Sequence, residues 1–503
     1  MPQESLVPKE SSVLQESLVP HESSGISTLA PESSRPKISV RLSLENLNIL
    51  RATSIKCVLG QGALMLQDSS GTEDTYLQSQ ATHEIDVFIS HNWVVPRRKK
   101  FWALALYFNV VYATAASYIG VALGCCLNVL QVPPTLQNVD RVMRPYCLIL
   151  GSCSFFLALM MGHDIPFMGK LFCRQKLFLD KVCINQIDPH LKAAGIKSLG
   201  AFLSHSNKML VLFHSAYVQR LWTVYEMACF MYLHRREKLE LLPVDIARVV
   251  LQSTVAIMIT QGMIMAVVHF GSVLGIGIMV RTLSAASIGS FATLVIAFIL
   301  RGWALQQSEL FSSLRSFQID KARCTDESDR LLVSANICSF VRAMGLAQDE
   351  ASDTEVLRSF DKLVQQNMPE SLRSAIGRTG LPYKYAFLAG TAFEFYNLDY
   401  VSSQPDLTAS FTLAYLVYGF NLQAAIIPSV FLICGWAGNK CPPLGRWAEL
   451  ALRVGTATLA LAVMLSAWLL STFLRERAAV NAWWLLPYVA CCAVQTFVVA
   501  RLF

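Results

Sequence analysis

The chain has 503 residues, of which 53% are apolar and only 15% charged, well below the roughly one-quarter charged fraction of soluble domains. Its formal charge of +7 does not argue for nucleic acid, because the bases gather beside apolar runs, where they read as topology signals. The 14 cysteines are scattered with no CxxC pair, so neither a disulfide framework nor a zinc site is indicated.

The chain opens on a polar repeat: ESLVPKESS at Glu4 to Ser12 returns as ESLVPHESS at Glu16 to Ser24. A Ser, Glu and Pro rich segment buries too little apolar surface to offset its ordering entropy. Residues 1–83 are therefore expected to be a disordered, low-complexity tail, although Ile38 to Leu66 is more apolar and admits a helix or a packing strand. The first thirty residues hold no apolar h-region, so a cleaved signal peptide is not expected.

From Glu84 short apolar runs alternate with helical patterns, which is how a parallel sheet with covering helices is written. Ile85 to Ile89, Leu177 to Ile184, Met209 to Phe213 and Leu239 to Val244 read as strands. Ile196, Leu199, Phe202 and Leu203 mark one intervening helix, and Trp222 to His234 another. The α/β module so defined covers 84–246. It is interrupted at 101–162 by a membrane hairpin: Phe101 to Leu130 carries no charged side chain, and Tyr146 to Gly162 returns after the Pro133-Pro134 turn. Each run reaches the ~17 to 25 residues that cross a hydrocarbon core. In a βαβ arrangement this hairpin stands where the first crossover helix would be.

A second hairpin occupies 247–305, with runs at Val249 to Phe270 and Ile288 to Leu305 and Arg281 marking the turn. Residues 306–407 read as a mostly helical cytoplasmic segment. There Ser352 and Glu355 match a capping box, and Val356, Leu357, Phe360, Leu363 and Val364 form one apolar stripe that Pro369 is expected to end. Residues 408–503 form a three-span C-terminal region, with runs at Phe411 to Gly435, Leu450 to Phe473 and Trp483 to Phe503. The fold class is thus a multi-pass α-helical membrane protein of about seven spans with a small α/β module. Arg97, Arg98, Lys99, Lys100, Arg235, Arg236 and Lys238 place the module and the N-terminus in the cytoplasm. Arg141, Arg144, Lys440 and Arg446 fall on the opposite side.

Three strings occur in order: DVFISHNW at Asp86 to Trp93, LFLDKVCINQ at Leu177 to Gln186, and RLWTVYEMACF at Arg220 to Phe230. Together they resemble the Toll/interleukin-1 receptor (TIR) domain family, over about a fifth of the chain. The first is similar to the family's opening strand and the second to its second strand and following loop. Ile196 to Glu226 is similar to its second helix, third strand and Trp-x-x-x-Glu signature. The architecture as a whole resembles multi-pass protist proteins that interrupt such a module with membrane spans.

The resemblance implies a flavodoxin-like fold and one of two activities. Many members are homotypic assembly modules, and a subset cleaves NAD at the nicotinamide glycosidic bond. By motif, Glu226 takes the place of the catalytic glutamate, and Trp222, Asp86 and Ser90 fall where a nucleotide pocket is expected. NAD would be a substrate rather than a resident cofactor. Leu221 and Thr223 stand where the family usually has Ser and Cys, and the membrane hairpin replaces a helix that helps wall the pocket. Glu226 also reads as an acid near a helix start, interacting with the helix dipole. Trp222 also reads as a core anchor, and Asp180 with Lys181 as a solvated strand-end pair.

His91, His163, His205 and His214 have no metal-ligand spacing, and Asp320, Asp326 and Asp329 lack the glycine and terminal glutamate of an EF-hand. No metal is expected. Asn421, Gln423, Pro428, Glu449 and Arg453 are the polar or helix-breaking residues that a transporter or channel would use. Gly120 with Gly124, and Gly271 with Gly275, are GxxxG pairs suited to helix packing. The leading expectation is a membrane-anchored TIR-like signalling protein that assembles with further copies or other TIR-like proteins. NAD hydrolysis through Glu226 is the first alternative, and transport with a regulatory TIR-like module is the second.

Overall fold

A computed structural model describes residues 49–130, 144–164, 175–234, 238–324, 327–404 and 408–503. The N-terminal repeat, the Pro133-Pro134 turn, Arg141, Arg235, Arg236 and Asp326 lie outside the described residues.

Residues 49–83, grouped by composition with the tail, are folded. Strand β1 (Arg51–Ala52), helices α1 (Ile55–Ala63) and α2 (Glu73–Leu77) and strand β2 (Gln80–Ala81) form a flap, with β1 and β2 paired antiparallel. Ile55, Val58 and Leu59 of α1 are buried, which recovers the apolar area that the polar stretches around them lack.

The module then follows as β3 (Ile85–Ser90), the long helices α3 (Arg97–Val129) and α4 (Tyr146–Met161), and β4 (Leu177–Phe178). Next come a helical turn α5 (Asp180–Cys183), α6 (Pro189–Lys197), α7 (Leu199–Ser204), β5 (Ser206–Phe213), α8 (Leu221–Leu233) and β6 (Leu239–Pro243). The four strands β3 to β6 form one sheet in the order β4-β3-β5-β6, every pair parallel. Ile85, Val87, Phe88 and Ile89 are all buried, the continuous apolar run of a strand covered on both faces. The crossover from β3 to β4 is the α3–α4 pair, as the sequence expects.

The flap closes one edge of this sheet: Thr53 N–H donates to Leu177 O (2.7 Å) and Leu177 N–H to Thr53 O (2.8 Å), so β4 presents no bare ladder to another chain. The sequence reads a strand over Leu177 to Ile184, but the ladder stops at Phe178. Asp180 accepts the Lys181 N–H on its own side chain (2.7 Å), a local bond that competes with strand pairing, and the chain turns helical.

Beyond the module lie α9 (Ile246–Val273), α10 (Ile278–Arg315), α11 (Ser328–Ala343) and α12 (Asp353–Ile376). The Ser352–Glu355 capping box forms. Pro369, however, sits inside α12, where a proline costs about 3 kcal/mol. Burial of Met368, Pro369, Leu372 and Ile376 offsets that cost and carries the helix through. Helices α13 (Tyr383–Ala389) and α14 (Thr391–Ser402) lead to α15 (Ala409–Asn421), a π turn (Leu422–Ile426) and α16 (Ile427–Lys440). The chain ends in α17 (Arg446–Val480) and α18 (Leu485–Leu502).

Among the described residues seven helical stretches are long and apolar enough to cross a membrane, in the regions the hydropathy assigns. Arg281 lies in the first turn of α10, beside the break after α9, and its Nη1 donates to Val268 O (3.1 Å). The GxxxG pair of α3 packs within the chain: a Cβ at Gly120 would come 2.6 Å from Leu150 O, and one at Gly124 2.6 Å from Cys147 N.

Candidate functional site

The carboxyl ends of β3 and β5 are where the sheet's strand order reverses, the position at which open α/β sheets bind ligands. Three side chains converge there. Ser90 ends β3 and is buried, Tyr217 follows β5 in a short 3-10 turn and is fully buried, and Glu226 lies beyond the first turn of α8. Ser90 Oγ donates to Glu226 Oε2 at 2.5 Å and lies 2.7 Å from the Tyr217 hydroxyl. Thr223 Oγ1 donates to Tyr217 O (2.6 Å) and Arg220 O (2.9 Å), which ties the start of α8 to the turn. Asn92 Nδ2 donates to Ala216 O (2.7 Å) and holds the loop after β3 against the loop after β5.

Burial pushes the Glu226 acid up to about 8, with the charge of Asp180 adding to the rise and the Ser90 hydroxyl opposing it. Near neutral pH most of Glu226 is therefore the uncharged acid. Burial also raises Asp180, whose Oδ2 accepts from Trp93 Nε1 (3.2 Å). Lys100 Nζ stands 4.9 Å over the Trp93 ring, close enough for cation–π attraction. His91, edge-on to Trp93, has a buried Nε2 with no hydrogen-bond partner, and burial holds its ring well below the usual imidazole range.

Of the four residues singled out from the sequence, Ser90 and Glu226 meet. Asp86 is four residues from Ser90 at the other end of β3, about 13 Å along the strand, where its Oδ2 accepts from Lys176 N (2.7 Å). Trp222 turns toward α11: its Nε1 donates to Asp329 Oδ2 (3.1 Å), and its ring stands edge-on to Tyr225. Glu226 spends its carboxyl on Ser90 rather than on the start of its own helix. The Asp180 carboxyl is bonded to Trp93 and to the Lys181 backbone N–H, while the Lys181 ammonium pairs with Asp68 (3.0 Å), so the two side chains do not pair with each other. Tyr217 and Trp93 join the cluster without any sequence signal beyond lying inside or beside the three motif strings.

Two surface recesses lie elsewhere, one bounded by Ala347, Gln348 and Glu355 and one by Ala462, Ser466 and Leu470. Neither touches Glu226. Among the described residues no group of three His, Cys, Asp or Glu side chains is placed to hold a metal ion. No family model matches the chain, and neither does any curated protein or solved structure.

Proposed function

We propose that this is a membrane-anchored TIR-like signalling protein whose α/β module assembles, at the cytoplasmic face, with other copies of itself or with similar modules. The observation that carries this reading is the α3–α4 crossover. The module is not hung from a linker: two membrane-length helices connect adjacent strands of its sheet, and in a bilayer such a crossover would hold the module in one orientation at the surface. Restricting copies to two dimensions in one orientation raises their effective concentration, so weak contacts suffice. Photobleaching steps counted on full-length protein in lipid vesicles should shift from monomers to oligomers as surface density rises. A Fab covering the module should reverse the shift. Monomers at every density, or oligomers indifferent to the Fab, would overturn the proposal.

A second reading, hydrolysis of NAD at the nicotinamide glycosidic bond, is favoured by the Glu226–Ser90 contact at the reversal of strand order. Departure of nicotinamide leaves an oxocarbenium-like ribose that a nearby carboxylate stabilises until water adds to it. Only ionised Glu226 can do this, so turnover should climb with pH toward about 8, where the acid loses its proton. Glu226→Gln copies the neutral acid in shape and should abolish turnover while leaving the fold intact at neutral pH. The stability signature has a definite sign. An acid raised from 4.5 to about 8 in the fold binds its proton more tightly there than when unfolded. Wild-type stability therefore declines as pH rises across that window, and the decline is absent in the Gln variant. NAD consumption by clustered, detergent-purified protein that is equal in wild type and Glu226→Gln sinks this reading.

A further inference from the structure

We propose that α13 and α14 form an eighth crossing of the bilayer and that Glu394, carried on it, is a proton-binding site at mid-depth in the membrane bundle. This goes beyond the signalling reading and does not rest on it.

The crossing follows from what each end of the α13–α14 pair touches. Just before α13, Gly380 O accepts from Trp303 Nε1 (2.6 Å) of α10. That part of α10 is level with the module: three residues on, Gln306 accepts from Arg248 (2.9 Å), and Glu309 accepts from Ser215 (2.8 Å). The opposite end of the pair lies at the far end of the first hairpin. Asp399 accepts from the backbone N–H of Cys147 (2.7 Å) and Leu148 (2.9 Å), which open α4, and from Asn128 Nδ2 (2.9 Å), near the last turn of α3. Helix α3 leaves the module at Arg97, so at 1.5 Å per residue Asn128 is about 46 Å away along its axis. Residues 383–402 cover about 28 Å as helix, close to the ~30 Å hydrocarbon core. The last residue agrees: Phe503 O accepts from Arg378 N–H (3.0 Å), which returns the C-terminus to the module side. Only an even number of crossings does that. Hydropathy passes over this segment because it is broken at Gly390 and carries Lys384, Glu394, Asn397 and Asp399.

Glu394 faces α15 at Gly419, where a Cβ would run into its Oε2. Gly419 is ten residues, about 15 Å, from the far-side start of α15, hence near the midplane. Glu394 Oε2 is sealed and has no hydrogen-bond partner. The charged groups nearby are engaged elsewhere: Asp399 caps α4, and Arg475 lies over the rings of Tyr415 (4.5 Å) and Tyr418 (4.6 Å). Tyr396 and Tyr400 on α14, Tyr118 and Cys125 on α3, Cys147 and Cys153 on α4, Tyr415 and Tyr418 on α15 and His269 on α9 are among the other titratable groups on this helix and the elements packed against it. Among the described residues no cation pairs with it and no second carboxylate stands by to share a metal, so the occupant that fits is a proton. The bundle is also irregular at this level. The π turn Leu422–Ile426 is followed by Pro428, and Gly390 abuts it, with a Cβ there 2.9 Å from Gln423 O. Such breaks at mid-depth are where membrane bundles place ion sites.

Two measurements on full-length protein in vesicles test this. A protease-cleavable tag after Phe503 should be cut, or protected, together with the module; cleavage on the opposite side overturns the crossing. In an infrared pH titration on a Glu226→Gln background, one protonated-carboxyl C=O band that shifts on 13C-glutamate labelling should fade as pH rises and be missing when Glu394→Gln is added. If that second change prevents folding, Glu394→Asp decides, since it should remove the band from the glutamate-labelled set. No glutamate-labelled band in the Glu226→Gln background, or one that survives Glu394→Gln or Glu394→Asp, overturns the proton site.

Discussion

Replacing Arg301 by alanine should cost about 3 to 5 kcal/mol of folding stability, the range for removing one partner of a buried ion pair. Arg301 sits in α10 with its side chain 3% exposed, and all five of its N–H donors are used. Nε and Nη2 grip the two oxygens of Glu449 (2.9 and 2.5 Å), Nη1 donates to Gly438 O (2.6 Å) and Cys441 O (2.8 Å), and the remaining Nη2 hydrogen goes to Pro442 O (2.8 Å). One side chain thus satisfies the carbonyls at the end of α16 and the acid in the first turn of α17. Alanine leaves Glu449 shielded and held only by the Leu444 N–H (3.0 Å) and a longer ion pair to Arg453 (3.8 Å). Lysine keeps the charge but offers three donors without the planar fork, so Arg301→Lys should recover a minority of the loss. The pair Arg301→Met with Glu449→Leu should recover most of it, because removing both charges removes the desolvation cost with them. Thermal melts in one detergent read all four proteins; an Arg301→Ala melt that coincides with wild type would reject the account.

Hydropathy is a local, additive property of a chain, and it located the membrane-length helices where neighbouring side chains alone decide. It could not locate α13 and α14. Their acids are tolerated because of α4 and α15, whose contacting residues lie far off in sequence. Arg301 shows the same limit: it stands inside an apolar run, and its partner Glu449 is 148 positions away. The strands were legible as apolar runs, but the end of β4 was not, since a single side-chain bond at Asp180 decides it. In the candidate site, the three motif strings contain both Ser90 and Glu226, and it is the fold that brings them together. Motif order could not say which way a ring turns, and Trp222 faces α11 for the sake of Asp329. The folded flap at 49–83 was hidden by its neighbours, because composition averaged over the whole N-terminal stretch dilutes a few buried residues such as Val58 and Leu59.

Gly124→Val should separate the first hairpin and carry the damage into the module. A Cβ at Gly124 would stand 2.6 Å from Cys147 N, 2.7 Å from Tyr146 C and 2.8 Å from Cys147 Cα. All three are backbone atoms that cannot swing aside, so the helices must part, at the about 1 to 3 kcal/mol typical of overpacking or more. Parting them also pulls the start of α4 away from Asp399, whose two backbone bonds act as an N-cap supplied from another helix and are worth about 1 kcal/mol. The two losses share a cause, so Gly124→Val and Asp399→Ala should be less than additive in a double-mutant cycle. Gly262, in α9, is the control: a Cβ there meets nothing within 4 Å, and Gly262→Ala should be neutral or stabilising by up to about 1 kcal/mol. Because α3 and α4 join β3 to β4, hydrogen exchange at Val87, Phe88 and Leu177 should quicken in Gly124→Val and hold steady in Gly262→Ala. Unchanged protection of those strands would mean that the sheet stands without its membrane crossover, and the coupling of module to bilayer on which the assembly proposal rests would fall with it.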